Sequence, residues 1–386
     1  MKVLFLNYEY PPLGGGAANA TEYLLREYAK TPDLSVRLVT SALGGEYVRE
    51  EIGEHVIVHR IPIGKDPGDL HHQTRGNLVA YSVKGYLFAR KLVREEGGFD
   101  MVHAFFTLPG GFQALLLHAE FRLPYLVSLR GADVPGYSER FPVIYALTRP
   151  LVRLIWKQAA AVVSNSRGLM ELAGKTSPHL EISIIPNGVD TGQFSPREGA
   201  SADEVVRILV VSRLTPRKGI RFLIRAIKIL HDVHPGQKIE LLIAGGGDEE
   251  ETLKTLAESE GVSDRVRFLG RVPHEELPAV YARADIFCLP SLNEGMSNTV
   301  LEAIASGLPV VATVTGGTEE LVRDGENGYF VKMESPEDLA DKIGRLIVDP
   351  DLRARMGAAS RTKAESMSWQ AVATRYAEEY IRSSRE

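Results

Sequence analysis

The sequence predicts an α/β protein with two doubly wound, Rossmann-like domains, each a mostly parallel sheet wrapped by helices. Three observations predict this fold class. Short apolar runs alternate with longer helical patterns through the 386 residues. The alternation pauses once, at 187–203, where Gly, Ser, Pro and Asp give the composition of a linker. It then begins again over a stretch of comparable length, so we expect a second domain of similar size.

The first domain is predicted to cover residues 1–190. Its first strand, at 2–7, precedes a helix at 17–30, and further helices are predicted at 77–95 and 142–158. Six later apolar runs have the length and composition of strands. These strands are predicted at 36–40, 55–61, 100–105, 125–129, 160–164 and 182–185.

The second domain is predicted to cover residues 191–368. Its strands are predicted at 206–212, 238–244, 265–269, 285–289, 309–313 and 328–331. The helices are predicted at 219–234, 249–259 and 274–284, then after the strand at 285–289, and from 336, 351 and 368 onward.

Composition excludes several classes of protein. With 44% apolar and 25% charged residues and a net charge of −5, the chain is neither disordered nor a general nucleic-acid binder. Its one cysteine, Cys288, lies in an apolar run, which predicts a buried thiol in a reducing cytoplasm. No apolar stretch is long enough to span a membrane. The apolar segment at the start of the sequence is too short for a signal peptide. We therefore expect a cytoplasmic protein.

Residues 290–302, P-S-L-N-E-G-M-S-N-T-V-L-E, form the most informative segment. They follow a predicted strand and begin a helix, and ligands of open α/β sheets bind at the carboxyl ends of strands. Backbone amides near Met296 and Asn298 would attract phosphate. Glu294 and Glu302 add carboxylates, which accept hydrogen bonds and can each hold two sugar hydroxyls. This combination predicts a nucleotide-sugar site.

Arg213 and Lys218 supply positive charge in V-V-S-R-L-T-P-R-K-G, directly after the first strand of the second domain. Arginine grips two phosphate oxygens with its planar fork, and lysine adds a point charge. A positively charged side chain is unfavourable at the start of a helix unless an anion lies nearby. We therefore predict that both residues bind a diphosphate.

Gly14, Gly15 and Gly16 follow the first strand and open a helix, so their backbone would allow close approach of a phosphate or sugar. A tight turn is the alternative for any one of them. The segment lacks the G-x-G-x-x-G pattern of NAD-binding domains, and the chain has no P-loop motif.

Four polar residues lie at the ends of strands of the first domain: His103, Arg130, Asp133 and Asn165. If their side chains point into one crevice, they would contact the acceptor or the donor sugar. A hydrogen-bonded core position is an equally good interpretation of His103. A local ion pair is an equally good interpretation of Arg130 and Asp133.

The helix at 142–158 carries Arg149, Arg153 and Lys157 at four-residue spacing, with aromatic and aliphatic residues elsewhere around it. A basic stripe of this kind suits peripheral contact with an anionic membrane. It also suits an ordinary solvated helix face, so both interpretations stay open.

Several motifs occur together in one order: the glycine loop, P-N-G-V-D, S-R-L-T-P-R-K-G, E-G-M-S-N-T-V-L-E and S-G-L-P-V-V-A. They resemble the retaining glycosyltransferases of family four over essentially the whole chain. The pair Glu294 and Glu302, spaced as E-x7-E, is the most specific of them. The resemblance implies the GT-B fold, in which two Rossmann-like domains face each other across a cleft. It also implies that the final helix, 369–386, crosses back to the first domain.

The resemblance further implies roles for residues. Arg213 and Lys218 would hold the donor diphosphate and Glu294 the hydroxyls of the donor sugar, which makes these three the candidate catalytic residues. Glu302 would bind the ribose. The other implied donor contacts are Gly15, Gly16, Arg271, Val272, Gly295, Met296, Ser297 and Asn298. Neither a metal nor a cofactor is expected, because the two cations replace the magnesium of other glycosyltransferases.

Two positions depart from the family pattern. Arg130 stands where many members have a histidine beside the donor sugar. Arginine cannot act as a base, but it can neutralise a leaving phosphate or bind an acidic acceptor. Ser297 stands where many members have glycine or proline, which would alter contacts with the sugar.

The sequence thus predicts a retaining, metal-independent hexosyltransferase. It would move a sugar from a UDP- or GDP-linked donor to an acceptor hydroxyl in glycan, polysaccharide or glycolipid biosynthesis. The diphosphate would leave toward the two cations, and one of its oxygens would take the acceptor proton. Two alternatives are a nucleotide-sugar 2-epimerase of the same fold and a sugar-nucleotide-binding protein without turnover.

Overall fold

The structure is a computed structural model that describes residues 1–66, 74–137, 142–197, 199 and 204–384. The chain forms two compact units. Unit 1 comprises Met1–Gly188 and Trp369–Glu386, and unit 2 comprises Val189–Ser368. The first part of unit 1 thus ends at Gly188, whereas the sequence predicted the domain boundary two residues later, after Asp190.

Unit 1 is built on a sheet of eight strands. They are β1 (Lys2–Leu6), β2 (Ser35–Ser41), β3 (Val48–Ile52), β4 (Val56–Ile61), β5 (Met101–Phe105), β6 (Tyr125–Leu129), β7 (Ala161–Ser164) and β8 (Ser183–Ile184). Their order is β3-β4-β2-β1-β5-β6-β7-β8, and every neighbouring pair is parallel except β3 and β4. The direction of winding reverses between β1 and β5, which makes this the switch point of the sheet.

Strand β3 was not predicted from the sequence. Its residues, V-R-E-E-I, are mostly charged and largely exposed, so they lack the apolar alternation of a strand. It pairs antiparallel with β4 at the edge of the sheet, where Arg60 binds Glu50 at 2.6 Å. Edge strands tolerate such charges, which also discourage pairing with other chains.

Five helices within the described residues precede the linker: α1 (Gly16–Tyr28), α2 (Arg75–Glu96), α3 (Phe112–Phe121), α4 (Pro142–Gln158) and α5 (Arg167–Thr176). Helices α1, α2 and α4 begin and end close to the predicted positions, whereas no bounds were predicted for α3 and α5. Helix α2 begins with a capping box, in which Thr74 and Asn77 satisfy each other's backbone N–H.

Unit 2 contains a six-stranded sheet. Its strands are β9 (Val205–Val211), β10 (Lys238–Ala244), β11 (Val266–Gly270), β12 (Ile286–Leu289), β13 (Val310–Thr313) and β14 (Gly328–Val331). The order is β11-β10-β9-β12-β13-β14, all parallel, so the switch point lies between β9 and β12. The helices are α6 (Ile220–Val233), α7 (Glu250–Ser259), α8 (Leu277–Tyr281), α9 (Asn298–Ala305), α10 (Pro336–Val348) and α11 (Pro350–Glu365).

The strands at the centre of unit 2 are buried on both faces, which explains their continuous apolar runs. Ile208, Leu209 and Val210 of β9 have no exposed surface, and neither does Cys288 of β12. The cysteine is a free, buried thiol, as predicted.

The last helix, α12 (Trp369–Ser383), packs within unit 1. Trp369 stacks on Tyr23 of α1 with ring centroids 5.1 Å apart, and the Tyr28 hydroxyl donates to the carbonyl of Ala373 at 3.2 Å. The return of the final helix to the first domain is therefore confirmed. None of the helices within the described residues has the length and apolar character needed to cross a bilayer.

Candidate active site

The switch point of unit 2 brings the predicted diphosphate and sugar residues together. Strands β9 and β12 are parallel neighbours there. Arg213 and Lys218 lie in the loop after β9, and Glu294 lies in the loop after β12. Because the connections on the two sides of a switch point lie on opposite faces of the sheet, their loops separate and leave a crevice for a ligand.

Lys218 and Glu294 form a direct ion pair. The ammonium of Lys218 donates to Oε1 of Glu294, and the two side chains are only 17% and 16% exposed. The hydroxyl of Ser291 donates to the same oxygen at 3.0 Å. Among the residues that the structure describes, none forms a hydrogen bond or ion pair with the exposed side chain of Arg213. The lysine and glutamate are thus mutually neutralised, and Arg213 remains available to an anion.

Close backbone contacts fix the two loops against each other. Gly219 has a φ of +65°, and a Cβ added there would lie 2.1 Å from the carbonyl oxygen of Pro290. The backbone N–H of Leu292 donates to the carbonyl of Arg217 at 2.7 Å. The two loops are therefore in direct backbone contact, which links the position of Lys218 to that of Glu294.

Helix α9 begins without a side-chain cap. Ser297 is its buried N-cap residue, but the hydroxyl contacts Oγ1 of Thr299 at 3.2 Å and caps no backbone amide. The first turn contains no acidic residue. The positive end of this helix is therefore not balanced by a carboxylate of its own first turn, which favours binding of an anion.

The predicted donor residues around Ser297 occupy the turn into α9. Gly295 and Met296 are half-buried, and Asn298 is the first residue of the helix. Gly317, after β13, packs on this turn, since a Cβ there would lie 2.8 Å from the carbonyl oxygen of Gly295. The loop after β13 thus supports the turn from behind.

Glu302 lies in the second turn of α9 and is 8% exposed. Its Oε2 accepts a hydrogen bond from the Tyr281 hydroxyl at 2.9 Å, and Nε2 of His274 lies 3.4 Å from its Oε1. Burial and the adjoining carboxylate raise the pKa of Tyr281 well above its ordinary value, so the phenol stays protonated. Neither Tyr281 nor His274 was a predicted site residue. Their spacing from Glu302 carries no motif, and only the fold brings them to it.

Arg271 and Val272 follow β11. Arg271 is exposed, and its side chain lies against the loop after β10, where a Cβ on Gly246 would be 2.9 Å from Cγ of the arginine. Val272 is half-buried against the core. Their contact with the donor base stays a prediction.

Gly15 and Gly16 lie in unit 1, after β1, and both are exposed. Gly15 is the N-cap of α1. The carboxylate of Glu9 folds back on this loop: it accepts a hydrogen bond from the Gly15 amide and lies against Gly14. Burial raises the pKa of Glu9. The glycine loop thus already binds the carboxylate of Glu9 at the start of α1. Gly16, the first residue of that helix, is exposed.

His103 lies in the core of unit 1 with no exposed surface. Its Nδ1 is 2.7 Å from the hydroxyl of Tyr380, and its Nε2 is 2.7 Å from Oγ of Ser128. Burial and the nearby Arg130 lower its pKa well below the ordinary value. With both nitrogens engaged and no open face, His103 has the geometry of a hydrogen-bonded core histidine, the second interpretation that its sequence left open.

Arg130 does not form a side-chain ion pair with Asp133 in the described contacts. Its guanidinium donates to Oδ1 of Asn187 at 2.9 Å and lies 5.0 Å from the centre of the Phe105 ring, while its Nε is buried without a partner among the described residues. Asp133 instead accepts from the backbone N–H of Thr107, at 2.8 Å, and of Arg130, at 2.9 Å. Burial raises the pKa of Asp133. The carboxylate therefore joins the loops after β5 and β6.

Asn165 follows β7 and is 9% exposed. Its amide oxygen has no hydrogen-bond partner among the described residues. A buried acceptor without a donor is unfavourable unless a ligand or water supplies one. Its predicted place in an acceptor or sugar pocket stays a prediction.

Two family models match the chain, a glycosyl transferase 4-like domain over residues 15–188 and glycosyl transferases group 1 over residues 193–363. A GDP-mannose-dependent alpha-(1-6)-phosphatidylinositol monomannoside mannosyltransferase of Mycolicibacterium smegmatis is 36% identical over 97% of both chains. The chain belongs to glycosyltransferase family four. A second family-four relative, a D-inositol 3-phosphate glycosyltransferase of Corynebacterium jeikeium, is 34% identical over 86% of this chain and 83% of its own. As a family-four glycosyltransferase, the protein transfers sugar from a nucleotide-sugar donor.

Solved structures give the same fold. Sucrose-phosphate synthase from Thermosynechococcus elongatus matches with a TM-score of 0.81 at 24% identity, over 99% of this chain and 98% of that one. Anabaena Alr3699/HepE in complex with UDP matches with a TM-score of 0.73 at 21% identity, over 99% and 100%. At these identities the likeness shows the fold alone, and the predicted GT-B fold is confirmed.

Proposed function

We propose that this family-four glycosyltransferase moves a hexose-type sugar from a UDP- or GDP-linked donor to an acceptor hydroxyl with retention of the anomeric configuration. The observation that carries the proposal is the arrangement of charge at the unit 2 switch point. Arg213 is exposed and unpaired among the described residues, beside a Lys218–Glu294 ion pair that is largely shielded from solvent. Arg213 is thus available to bind an anion, and a diphosphate can be bound both by an arginine and by the free amides of a helix start.

In the proposed reaction, the bond between the anomeric carbon and the diphosphate oxygen breaks, and a bond to the acceptor oxygen forms on the same face. The acceptor proton passes to an oxygen of the leaving diphosphate, which yields the nucleoside diphosphate. Arg213, Lys218 and the amides at the start of α9 stabilise the charge that develops on that diphosphate. No side chain has to act as a strong base.

Glu294 would recognise the sugar. Because Ser291 and Lys218 both donate to its Oε1, that oxygen is already engaged and Oε2 is the more available acceptor for sugar hydroxyls. The ion pair also links recognition to chemistry, since Lys218 would contact the diphosphate and Glu294 the sugar attached to it. Positioning of this kind contributes a large part of the acceleration in transfer reactions.

We further propose that catalysis needs neither a metal nor a cofactor. The support is Arg213, whose charge no described residue neutralises, together with the start of α9, which has no side-chain cap and no acidic residue in its first turn.

The setting that we propose is glycan, polysaccharide or glycolipid biosynthesis, with a cytoplasmic enzyme in peripheral contact with an anionic membrane. Helix α4 supports the membrane contact, because it contains no acidic residue. Val143 and Leu147 are 68% and 75% exposed, and Arg149, Arg153 and Lys157 of the same helix are also exposed. Exposed apolar residues beside a basic stripe suit the interface of an anionic bilayer.

The test is a panel of UDP- and GDP-sugars, GDP-mannose included because a relative's name specifies it. Release of nucleotide and the anomer of the product are measured with and without acceptor, in EDTA and in added magnesium. Acceptor-dependent release with retention, unchanged by EDTA, supports the proposal. Epimerised sugar nucleotide without acceptor would favour a 2-epimerase, and tight binding without turnover would favour a binding protein.

A further inference from the structure

The carboxylate of Glu302 has two side-chain neighbours of very different exposure. Tyr281 has no exposed surface, whereas the His274 side chain is 42% exposed. We propose that Tyr281 and His274 are positioning residues that orient Glu302 toward the ribose hydroxyls of the donor nucleotide. This inference rests on the proposed function, because it needs a nucleotide at the unit 2 site.

Tyr281 fixes one oxygen of the carboxylate. Its hydroxyl lies 2.9 Å from Oε2 of Glu302 and 3.1 Å from the carbonyl oxygen of Thr299, both in α9. The ring is held edge-on by Phe194, at 5.6 Å, and packs on Phe287 at 5.8 Å. A donor held this firmly keeps Oε2 directed into the core, so Oε2 is not the oxygen that meets a ligand.

His274 marks the open side of the carboxylate. Its Nε2 lies 3.4 Å from Oε1 of Glu302, and its ring is edge-on to Phe194 at 5.7 Å. The Glu302 side chain is only 10% exposed, so the accessible part of the carboxylate is small. Since Oε2 is held by a buried phenol, hydroxyl groups of a ligand reach the carboxylate from the side of Oε1 and His274.

The order of these residues along the sequence matches the order of base and ribose in a bound nucleoside. His274 follows Arg271 and Val272, the predicted base contacts, in the segment between β11 and α8. A base against that segment would therefore place its ribose near His274 and Glu302. The carboxylate accepts hydrogen bonds only, and the ribose 2′ and 3′ hydroxyls donate them, so its orientation decides how well ribose is distinguished from deoxyribose.

The experiment measures binding of GDP and UDP, and of their 2′,3′-dideoxy forms, to the full-length protein by titration calorimetry. The wild type is expected to prefer the ribose form of the nucleotide that it binds. In Tyr281→Phe the affinity for that ribose nucleotide should fall by about tenfold, the effect of losing one hydrogen bond to a charged group, while affinity for the deoxy form should change little. The preference for ribose should therefore shrink.

Matched variants separate positioning from folding. Tyr329→Phe removes a hydroxyl from another tyrosine of unit 2 and should leave the ribose preference unchanged. His274→Ala should reduce the preference, and His274→Gln, which keeps a donor on a side chain of similar reach, should restore part of it. Tyr281→Phe and Glu302→Gln combined should lose less than the sum of the single effects, because both act on one interaction.

The outcomes distinguish the two proposals. If the wild type binds none of these nucleotides, the proposed function itself is overturned. If it binds a nucleotide with no preference for ribose, or if Tyr281→Phe weakens the ribose and deoxyribose forms equally, the positioning role is overturned while the proposed function stands. Thermal unfolding of each variant confirms that the folded protein was titrated.

Discussion

At the scale of single residues, the site depends on which charges are already neutralised. Lys218 and Glu294 satisfy each other, with a further hydrogen bond from Ser291. Arg213 is exposed and makes no side-chain hydrogen bond or ion pair with the described residues. Its charge therefore contributes little to folding and is available to a ligand.

Replacing Arg213 by alanine tests this division of roles. Arg213→Ala should lower kcat/KM by about 10² to 10³, the effect of removing one donor that stabilises transition-state charge. Its melting temperature should stay near that of the wild type, because no described contact is lost. Arg217→Ala, an exposed arginine of the same loop, is the control and should retain activity. An unfolded or fully active Arg213→Ala would contradict the assignment.

At the scale of elements, glycines allow the site loops to approach each other. A Cβ on Gly219 would lie 2.1 Å from the carbonyl oxygen of Pro290, and one on Gly245 would lie 1.8 Å from that of Ser212. Both glycines have positive φ, at +65° and +138°, which other residues rarely adopt. The loops after β9, β10 and β12 thus depend on residues without a side chain.

Gly219→Ala should separate the loops that hold Lys218 and Glu294. The methyl group would displace Pro290, so we expect a loss of stability of about 1 to 3 kcal/mol and a larger relative loss of activity. Gly236→Ala is the matched control, since a Cβ at Gly236 meets nothing within 4 Å. Chemical denaturation and initial rates measure the two effects. Equal behaviour of the two variants would show that the contact is not required.

A second element-scale feature joins α2 to α3. Glu120 of α3 accepts hydrogen bonds from Arg90, at 2.7 Å, and Arg94, at 2.6 Å, both on α2. The hydrogen bond from Arg90 is the main reason why the pKa of Glu120 falls from 4.5 to about 2. Because the folded-state pKa is lowered, the bridge stabilises the fold above pH 4.5, and this contribution is lost as the pH falls toward 2.

Glu120→Gln should therefore lower the melting temperature modestly at pH 7, since exposed ion pairs contribute little. The difference from the wild type should shrink below pH 4.5 and disappear near pH 2. Glu95→Gln is the control, because among the described residues Glu95 forms its ion pair within α2, with Lys91 at 3.7 Å. A difference between Glu120→Gln and the wild type that stayed constant with pH would contradict this explanation.

At the scale of the whole molecule, the chain provides two sheets, each with its own switch point. Unit 2 carries the charged residues of the proposed donor site, and unit 1 carries the glycine loop, Arg130, Asp133 and Asn165. Unit 1 also carries α4, whose exposed apolar and basic side chains we propose to contact a membrane.

Vesicle sedimentation checks the membrane contact. The protein should bind vesicles that contain anionic lipid more strongly than neutral ones, and added salt should weaken that binding. Leu147→Glu should reduce binding by about tenfold, because it replaces an inserted apolar side chain by a charge. Val348→Glu, at a position 54% exposed in unit 2, is the control and should bind as the wild type does. Equal binding to neutral and anionic vesicles would contradict the proposal.

The sequence by itself determined much of this protein. Periodicity and linker composition predicted the two doubly wound domains, and the motifs predicted the family, because such signals are local in the chain. The charged edge strand β3 escaped prediction, since its residues lack apolar alternation and its pairing with β4 decides its structure.

Only the tertiary structure decided which side chains meet. It paired Lys218 with Glu294, surrounded Glu302 by Tyr281 and His274, and enclosed His103 between Tyr380 and Ser128. These partners lie far apart in sequence and carry no shared motif. The parallel sheet aligns the ends of distant strands at one edge. Each buried polar group then forms its hydrogen bonds with the element that packs beside it.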